Sequence, residues 1–155
     1  MKEILFRFNP FTVAEWSNDQ IKVQYDVFAN NLSEGDTLME LSNNIDLYAN
    51  MGYLIGEMIA RYSRDVDDME AQLKVDIANT ISKERIQWLK DNADKPPAMS
   101  FFENRALSMN LKAMNELNEK EAFRKRFKYA YDSIQDKQNA LKKKLESVRF
   151  EIGGR

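Results

Sequence analysis

The sequence of 155 residues contains no cysteine and no histidine. Without cysteine the chain can form no disulfide and offers no thiolate as a nucleophile or metal ligand, and without histidine it lacks the commonest general base. We therefore expect a protein that is not an enzyme and that holds no metal ion and no cofactor. An enzyme working through carboxylates and lysines alone is the remaining alternative, although no cluster of these residues favours it.

Long apolar runs are also missing, since no stretch of about 18 apolar residues is present that could span a bilayer. The segment from Met1 to Arg7 is too short and too charged for a secretory signal. These two observations predict a cytoplasmic protein that does not enter membranes.

An apolar seam runs through the middle of the chain with spacings of three and four residues. Such spacing predicts a helix with an apolar stripe that needs a partner helix, and we expect neighbouring subunits to supply it. A second apolar row from Leu47 to Met58 widens the stripe and favours a multi-helix bundle. The predicted oligomerisation residues on this seam and on its continuation near the C-terminus are Leu41, Ile45, Tyr48, Ile55, Ile59, Tyr62, Leu141 and Leu145.

Helix boundaries can be placed from proline and from capping residues. Asp36 or Thr37 is the candidate N-cap of a segment 36–92, which forms either one helix or two with a break near 63–68. Pro96 and Pro97 end this segment because proline donates no backbone hydrogen bond. A capping box at Ser100 and Glu103 predicts the next helix start, and a further helix begins or continues near Asn118. The predicted fold is mainly α, a long-helix hairpin or helical bundle over residues 36–155.

Residues 1–35 have a different pattern and are predicted to form a short β-like N-terminal arm. Ile21, Val23, Tyr25 and Val27 alternate with polar residues, as is typical of a half-buried strand, and so do Ile4, Phe6 and Phe8. Because an isolated hairpin is marginally stable in water, this arm is expected to pack on the helices or to pair with a neighbouring subunit.

The net charge of −2 hides a strong asymmetry along the chain. Residues 120–155 contain 11 Lys and Arg against 5 Asp and Glu, a net charge of +6, whereas residues 1–119 carry 12 against 20, a net charge of −8. This asymmetry is typical of a polyanion-binding segment beside an acidic one. The alternative is a solvated helix face that is rich in lysine.

The strongest candidate for a binding site is the basic and aromatic segment 124–131. Single-stranded nucleic acid is bound by cations along its phosphates and by aromatic rings that stack on its bases. Both residue types occur here, and Phe127 is expected to face the core, which leaves the two tyrosines for bases. The predicted contact residues are Arg124, Lys125, Arg126, Lys128, Tyr129 and Tyr131. A second basic cluster surrounds Trp88, and the lysines at 142–144 add a diffuse positive field.

The order of these features resembles the UvsY-type recombination mediators of bacteriophages. The likeness covers about Leu38 to Glu151 and rests on the segments Met69-Glu70-Ala71-Gln72-Leu73-Lys74, Lys83-Glu84-Arg85 and Arg149-Phe150-Glu151, with a polar turn and a basic-aromatic helix start between the last two. Here Glu84 lies inside the basic motif and Pro96-Pro97 replaces a more flexible turn.

The resemblance implies a non-enzymatic mediator in the host cytoplasm that assembles into a ring-like homo-oligomer and binds single-stranded DNA. It further implies that the protein helps a RecA-like recombinase to displace the single-strand-binding protein. The Lys-x-Arg motif associated with DNA binding in that family matches Lys83 and Arg85. The alternative, from another functional class, is a coiled-coil scaffold, chaperone or adaptor that binds a protein and never contacts nucleic acid.

Overall fold

The computed structural model describes residues 8–92 and 95–153, and within these ranges the chain is helical and contains no strand. The mainly α class is therefore confirmed. The segment that sequence reasoning left as one helix or two is a single helix of 54 residues. The elements in chain order are a 3₁₀ helix (Pro10–Glu15), α1 (Asn18–Asn30), α2 (Leu38–Asp91), α3 (Met99–Met109) and α4 (Leu111–Gly153).

The predicted strand at residues 21–27 is wrong, because these residues lie in α1. A capping box starts this helix: Gln20 donates its backbone N–H to the Ser17 hydroxyl, and Ser17 donates its own to the Gln20 side chain. Ile21 and Phe28, seven residues apart, are buried on one face, while Val23 is exposed. The spacing of 21, 25 and 28 is also helical, so capping and burial prevail over the two-residue alternation. Of the other predicted strand, Phe8 is not in a strand, and Ile4 and Phe6 lie outside the described residues.

The start of α2 is capped by Thr37, one of the two predicted N-cap residues. The Thr37 hydroxyl accepts the backbone N–H of Glu40 at 3.3 Å, and the Glu40 carboxylate accepts the backbone N–H and hydroxyl of Thr37 at 3.1 and 2.6 Å. These two hydrogen bonds from Thr37, with a third from the Ser33 hydroxyl, lower the pKa of the Glu40 carboxyl below its ordinary value. The buried Asn44 adds two hydrogen bonds to the backbone of Ser33 and holds the loop before α2 in place.

The lowered pKa of Glu40 predicts a stability contribution that acid removes. Because the ionised carboxylate is favoured in the folded chain, the contribution is complete above the ordinary glutamate pKa and is lost as the pH falls through the folded-state pKa. Glu40→Gln keeps a hydrogen-bond acceptor but cannot ionise. We expect the variant to melt below the wild-type protein at neutral pH, and the difference in melting temperature to shrink as the pH falls through the folded-state pKa, which lies below the ordinary glutamate pKa. A difference in melting temperature that does not depend on pH would contradict this assignment.

The predictions for the helix boundaries after α2 are correct in part. Pro96 and Pro97 lie between α2 and α3, as expected. The capping box at Ser100 is wrong, because α3 begins at Met99 after Ala98, which makes no capping hydrogen bond through its side chain. Asn118 lies inside α4, so the alternative in which the helix continues is confirmed.

The described chain divides into two compact units, and the first consists of residues 8–60 and 125–153. Within it, α2 and α4 run antiparallel: Gln138 donates a hydrogen bond to the carbonyl of Ile45 at 3.2 Å, and Gly52 lies beside Tyr131 and Ile134. The second predicted apolar row of α2 is buried here, and the residues of the seam are buried or half-buried. The predicted boundary after residue 35 falls inside this unit. Its buried apolar residues are Val13, Ile21, Phe28, Leu41, Leu47, Met51, Leu54, Ile55, Met58, Ile134 and Leu145.

The second unit consists of residues 61–92 and 95–124 of the described chain. Val66, Phe102 and Ala106 are its buried apolar residues. Its helices are also joined by an ion pair between Lys120 of α4 and Asp65 of α2 at 3.0 Å and by the contact between the rings of Trp88 of α2 and Phe101 of α3. This unit therefore has a smaller apolar core than the first one.

Candidate nucleic-acid interface

The basic segment 124–131 forms about two turns of α4, and the helix divides its side chains between two environments. Lys125, Arg126, Lys128 and Tyr129 are exposed, and Tyr129 keeps 73% of its surface accessible. Phe127 is half-buried on the core side, as expected. The exposed side chains are thus a set of cations with an accessible aromatic ring, the combination that single strands require.

Arg124 and Tyr131 are placed differently from the other predicted contact residues. Arg124 is half-buried and pairs with Glu121 one turn earlier at 3.2 Å. Tyr131 is half-buried and faces α2, where its ring lies near Gly52. Arg124 is therefore partly neutralised, and Tyr131 can contact a base only from the side of the helix that faces α2.

The exposed cations continue along α4 beyond the predicted segment. Between residues 125 and 144 the helix has seven lysines and arginines against two aspartates, Asp132 and Asp136, and all nine are exposed. Lys137 escaped the sequence analysis because it is isolated in the sequence, although it follows Arg126 by eleven residues, a helical spacing. Lys144 pairs with Asp36 within the first unit. The result is a solvent-exposed, strongly positive stretch of helix about 30 Å long.

Two flanks of α4 can be distinguished in this stretch. Lys128, Tyr131, Gln135, Gln138 and Lys142 follow one another by three or four residues and lie on the flank that faces α2. Arg126 and Lys137 lie on the other flank, which they share with Tyr129. A bound strand that follows one flank would therefore contact only part of the positive charge.

Lys83 and Arg85 belong to the second unit, where both are exposed on α2. Glu84, which lies between them in the sequence, is half-buried and pairs with Arg105 of α3. The acidic residue within the motif is thus neutralised by a partner of its own. Residues two apart on a helix do not share a face, so Lys83 and Arg85 present their charges in different directions.

The predicted oligomerisation residues are buried or half-buried within the chain itself. Leu41, Ile55 and Leu145 are buried, and Ile45, Tyr48, Ile59 and Leu141 are half-buried, all within the first unit. Tyr62 is half-buried in the second unit, where its ring centroid lies 5.7 Å from that of Phe123 and 5.4 Å from the Lys120 ammonium. Packing within one chain accounts for this burial, and assembly through these residues stays a prediction.

Comparison with family models, with curated proteins and with solved structures finds no match for this chain. The resemblance to UvsY-type mediators stays a hypothesis from the sequence. Among the helices that the structure describes, none is both long enough and apolar enough to cross a bilayer.

Proposed function

We propose that this protein binds single-stranded DNA through α4 and acts as a recombination mediator in a phage recombination or replication system. The observation that carries the proposal is the exposed stretch 125–144, in which seven cations accompany the accessible ring of Tyr129. Cations spread along a helix contact phosphates without reading sequence, and exposed rings stack on any base. This is the chemistry that a protein needs when it must cover any single strand.

The proposed mechanism needs no catalytic residue. Each subunit offers a modest positive surface, and a ring-like homo-oligomer would bring several such surfaces to one strand. Once one subunit is bound, the effective concentration of the strand at the neighbouring subunits is high. Many weak contacts therefore give tight overall binding, while each single contact can still dissociate and re-form. In the mediator hypothesis this binding holds the strand while a RecA-like recombinase displaces the single-strand-binding protein.

A titration with a fluorescently labelled oligo-dT strand tests the proposal. We expect the anisotropy to rise at low salt and the affinity to fall as salt is added, with a log–log slope of roughly −2 for each three phosphates contacted. The sequence of the strand should matter little. Absence of binding at low salt, with the protein folded, would rule the proposal out.

A protein-binding scaffold is the second candidate, and a particular surface of the second unit favours it. Val75, Ile86 and Leu89 lie along one face of α2 and each exposes more than half of its side chain. Exposed apolar rows of this kind mark protein-binding surfaces more often than nucleic-acid sites. Two results together would support the scaffold. The folded protein should not bind oligo-dT, and the Ile86→Lys variant should lose self-association or binding to a helical partner protein.

A further inference from the structure

A groove of about 490 Å³ opens between α2 and α4 in the first unit, beside the 3₁₀ helix. Its volume falls within the range of roughly 300–1,000 Å³ that is common for small-molecule sites. Tyr53 and Gly56 of α2 and Tyr131 and Gln135 of α4 line it. Tyr53 exposes 58% of its surface, so an aromatic ring stands accessible at the groove.

Two glycines one turn apart on α2 determine where the helices touch and where the groove opens. A β-carbon at Gly52 would lie 3.5 Å from the Gln135 amide nitrogen and 3.8 Å from the Tyr131 ring, which are ordinary contact distances. A β-carbon at Gly56 would have no heavy atom within 4 Å. Helix α4 therefore packs against Gly52, whereas the absence of a side chain at Gly56 leaves open space.

We propose that this groove receives one unstacked base of a bound single strand, an inference that rests on the proposed function. Tyr53 and Tyr131 offer aromatic rings from the two helices, and every base has a face that can stack on such a ring. The Gln135 amide, which forms no hydrogen bond with residues 8–92 and 95–153, supplies donors and an acceptor for a base edge. The groove thus combines stacking surfaces with an adaptable polar group.

The charges around the groove indicate how the strand would lie. On the flank of α4 that faces α2, exposed Lys128 and Lys142 lie at the two ends of the row that contains Tyr131 and Gln135. They are 14 residues apart, or about 21 Å along the helix. This arrangement places phosphates at the lysines and a base between them.

The experiment compares oligo-dT with a strand of equal length in which abasic sites replace the bases, by anisotropy at constant salt. We expect the wild-type protein to bind oligo-dT at least about fivefold more tightly, the smallest effect typical of one stacked base. Tyr53→Ala and Gly56→Leu should each reduce this preference, the first by deleting a ring and the second by filling the groove, and stacking on Tyr129 accounts for what remains. Ala60→Leu, which adds the same side chain one turn later at an exposed position, should keep it.

A pair of double variants separates the groove from general electrostatics. Lys128→Ala with Lys142→Ala and Arg126→Ala with Lys137→Ala each remove two positive charges from the same helix. We expect both to weaken binding of both strands, but the first pair to reduce the preference for bases over abasic sites by more than the second, whose flank carries the ring of Tyr129. Equal effects of the two pairs on that preference would overturn the base-binding role of the groove.

The remaining outcomes distinguish this inference from the function on which it rests. If the wild-type protein binds both strands equally well, the groove inference is wrong and DNA binding stands. If it binds neither at low salt, the proposed function itself fails. If Gly56→Leu alters sedimentation but leaves the base preference intact, a second copy of the chain occupies the groove and the inference is overturned.

Discussion

Replacement of Ile55 by aspartate is expected to unfold the first unit. Ile55 exposes only 7% of its surface, among the buried residues that α2 contributes to this core. An uncompensated charge in such a site costs about 3–5 kcal/mol, a large part of the roughly 5–15 kcal/mol by which most domains are stable. Protonation would remove the charge of the aspartate but would still leave a buried polar group without a hydrogen-bond partner.

Urea unfolding followed by circular dichroism measures this effect, and Ala60→Asp provides the control. Ala60 lies on the same helix and is exposed, so the same charge there meets water. We expect the control to change the unfolding midpoint little. The midpoint of Ile55→Asp should fall steeply and should not depend on protein concentration, because the core that it disrupts lies within one chain.

The same variant tests the seam as an interface between subunits. If Ile55 faced a neighbouring copy, the charge would separate the subunits and leave a helical monomer in sedimentation velocity. That result would contradict the packing described above and would support the interface predicted from the heptad spacing. Loss of helical signal together with loss of assembly is the outcome that the intrachain core predicts.

The long helices could be predicted because their signals are local and repeated. The two apolar rows of α2 recur over many turns, and no proline interrupts them before Pro96. Thr37 with Glu40 three residues later is also a local signal, and the reciprocal hydrogen bonds confirm it. What the spacing cannot reveal is the partner helix: α4 of the same chain lies against the seam at Ile45 and Gly52, and assembly of subunits through the seam stays a prediction.

The N-terminal error has a physical cause that particular residues show. Ile21, Val23, Tyr25 and Val27 are β-branched or aromatic and alternate with polar residues, so strand propensity and period agree locally. The structure instead buries Ile21 and Phe28 and leaves Val23 exposed. Both a strand pattern and a helix pattern fit these residues. Burial against the rest of the first unit decides between them, and such tertiary contacts cannot be seen in the local sequence.

The residue types of the candidate interface could be predicted from the sequence, but the directions in which their side chains point could not. The sequence identified cations and rings at 124–131 and predicted Arg124 and Tyr131 as contact residues together with the exposed cations. In the structure Arg124 pairs with Glu121, and Tyr131 faces a groove whose other wall comes from α2. That groove depends on Gly56 and Tyr53, about 75 residues away in the chain, so no local pattern on α4 could have shown it.

Alanine substitution of Lys125, Arg126 and Lys128 together should weaken binding to oligo-dT by roughly 25-fold near 0.1 M salt. All three side chains are exposed on α4. A strand that follows one flank can contact Lys125 and Lys128 but not also Arg126, so their loss flattens the log–log salt dependence by up to about 1.4, because single strands contribute about 0.7 per contact. The wild-type and variant affinities should therefore converge towards 1 M salt, and the loss should be similar for every strand sequence.

Two further variants show whether the loss of DNA affinity comes from the position of the removed cations or only from the change in net charge. Alanine at Lys22, Lys74 and Lys112 removes the same number of charges from exposed sites on α1, α2 and the start of α4, and it should cost only a small part of the affinity.

Alanine at Lys83 and Arg85 measures the contribution of the second unit to DNA binding separately. Because these two cations point in different directions on α2, one strand following a single face can engage only one of them. We expect the salt dependence to flatten by less than in the α4 variant, and an equal or larger change would move the principal DNA contact from α4 to the Lys-x-Arg motif.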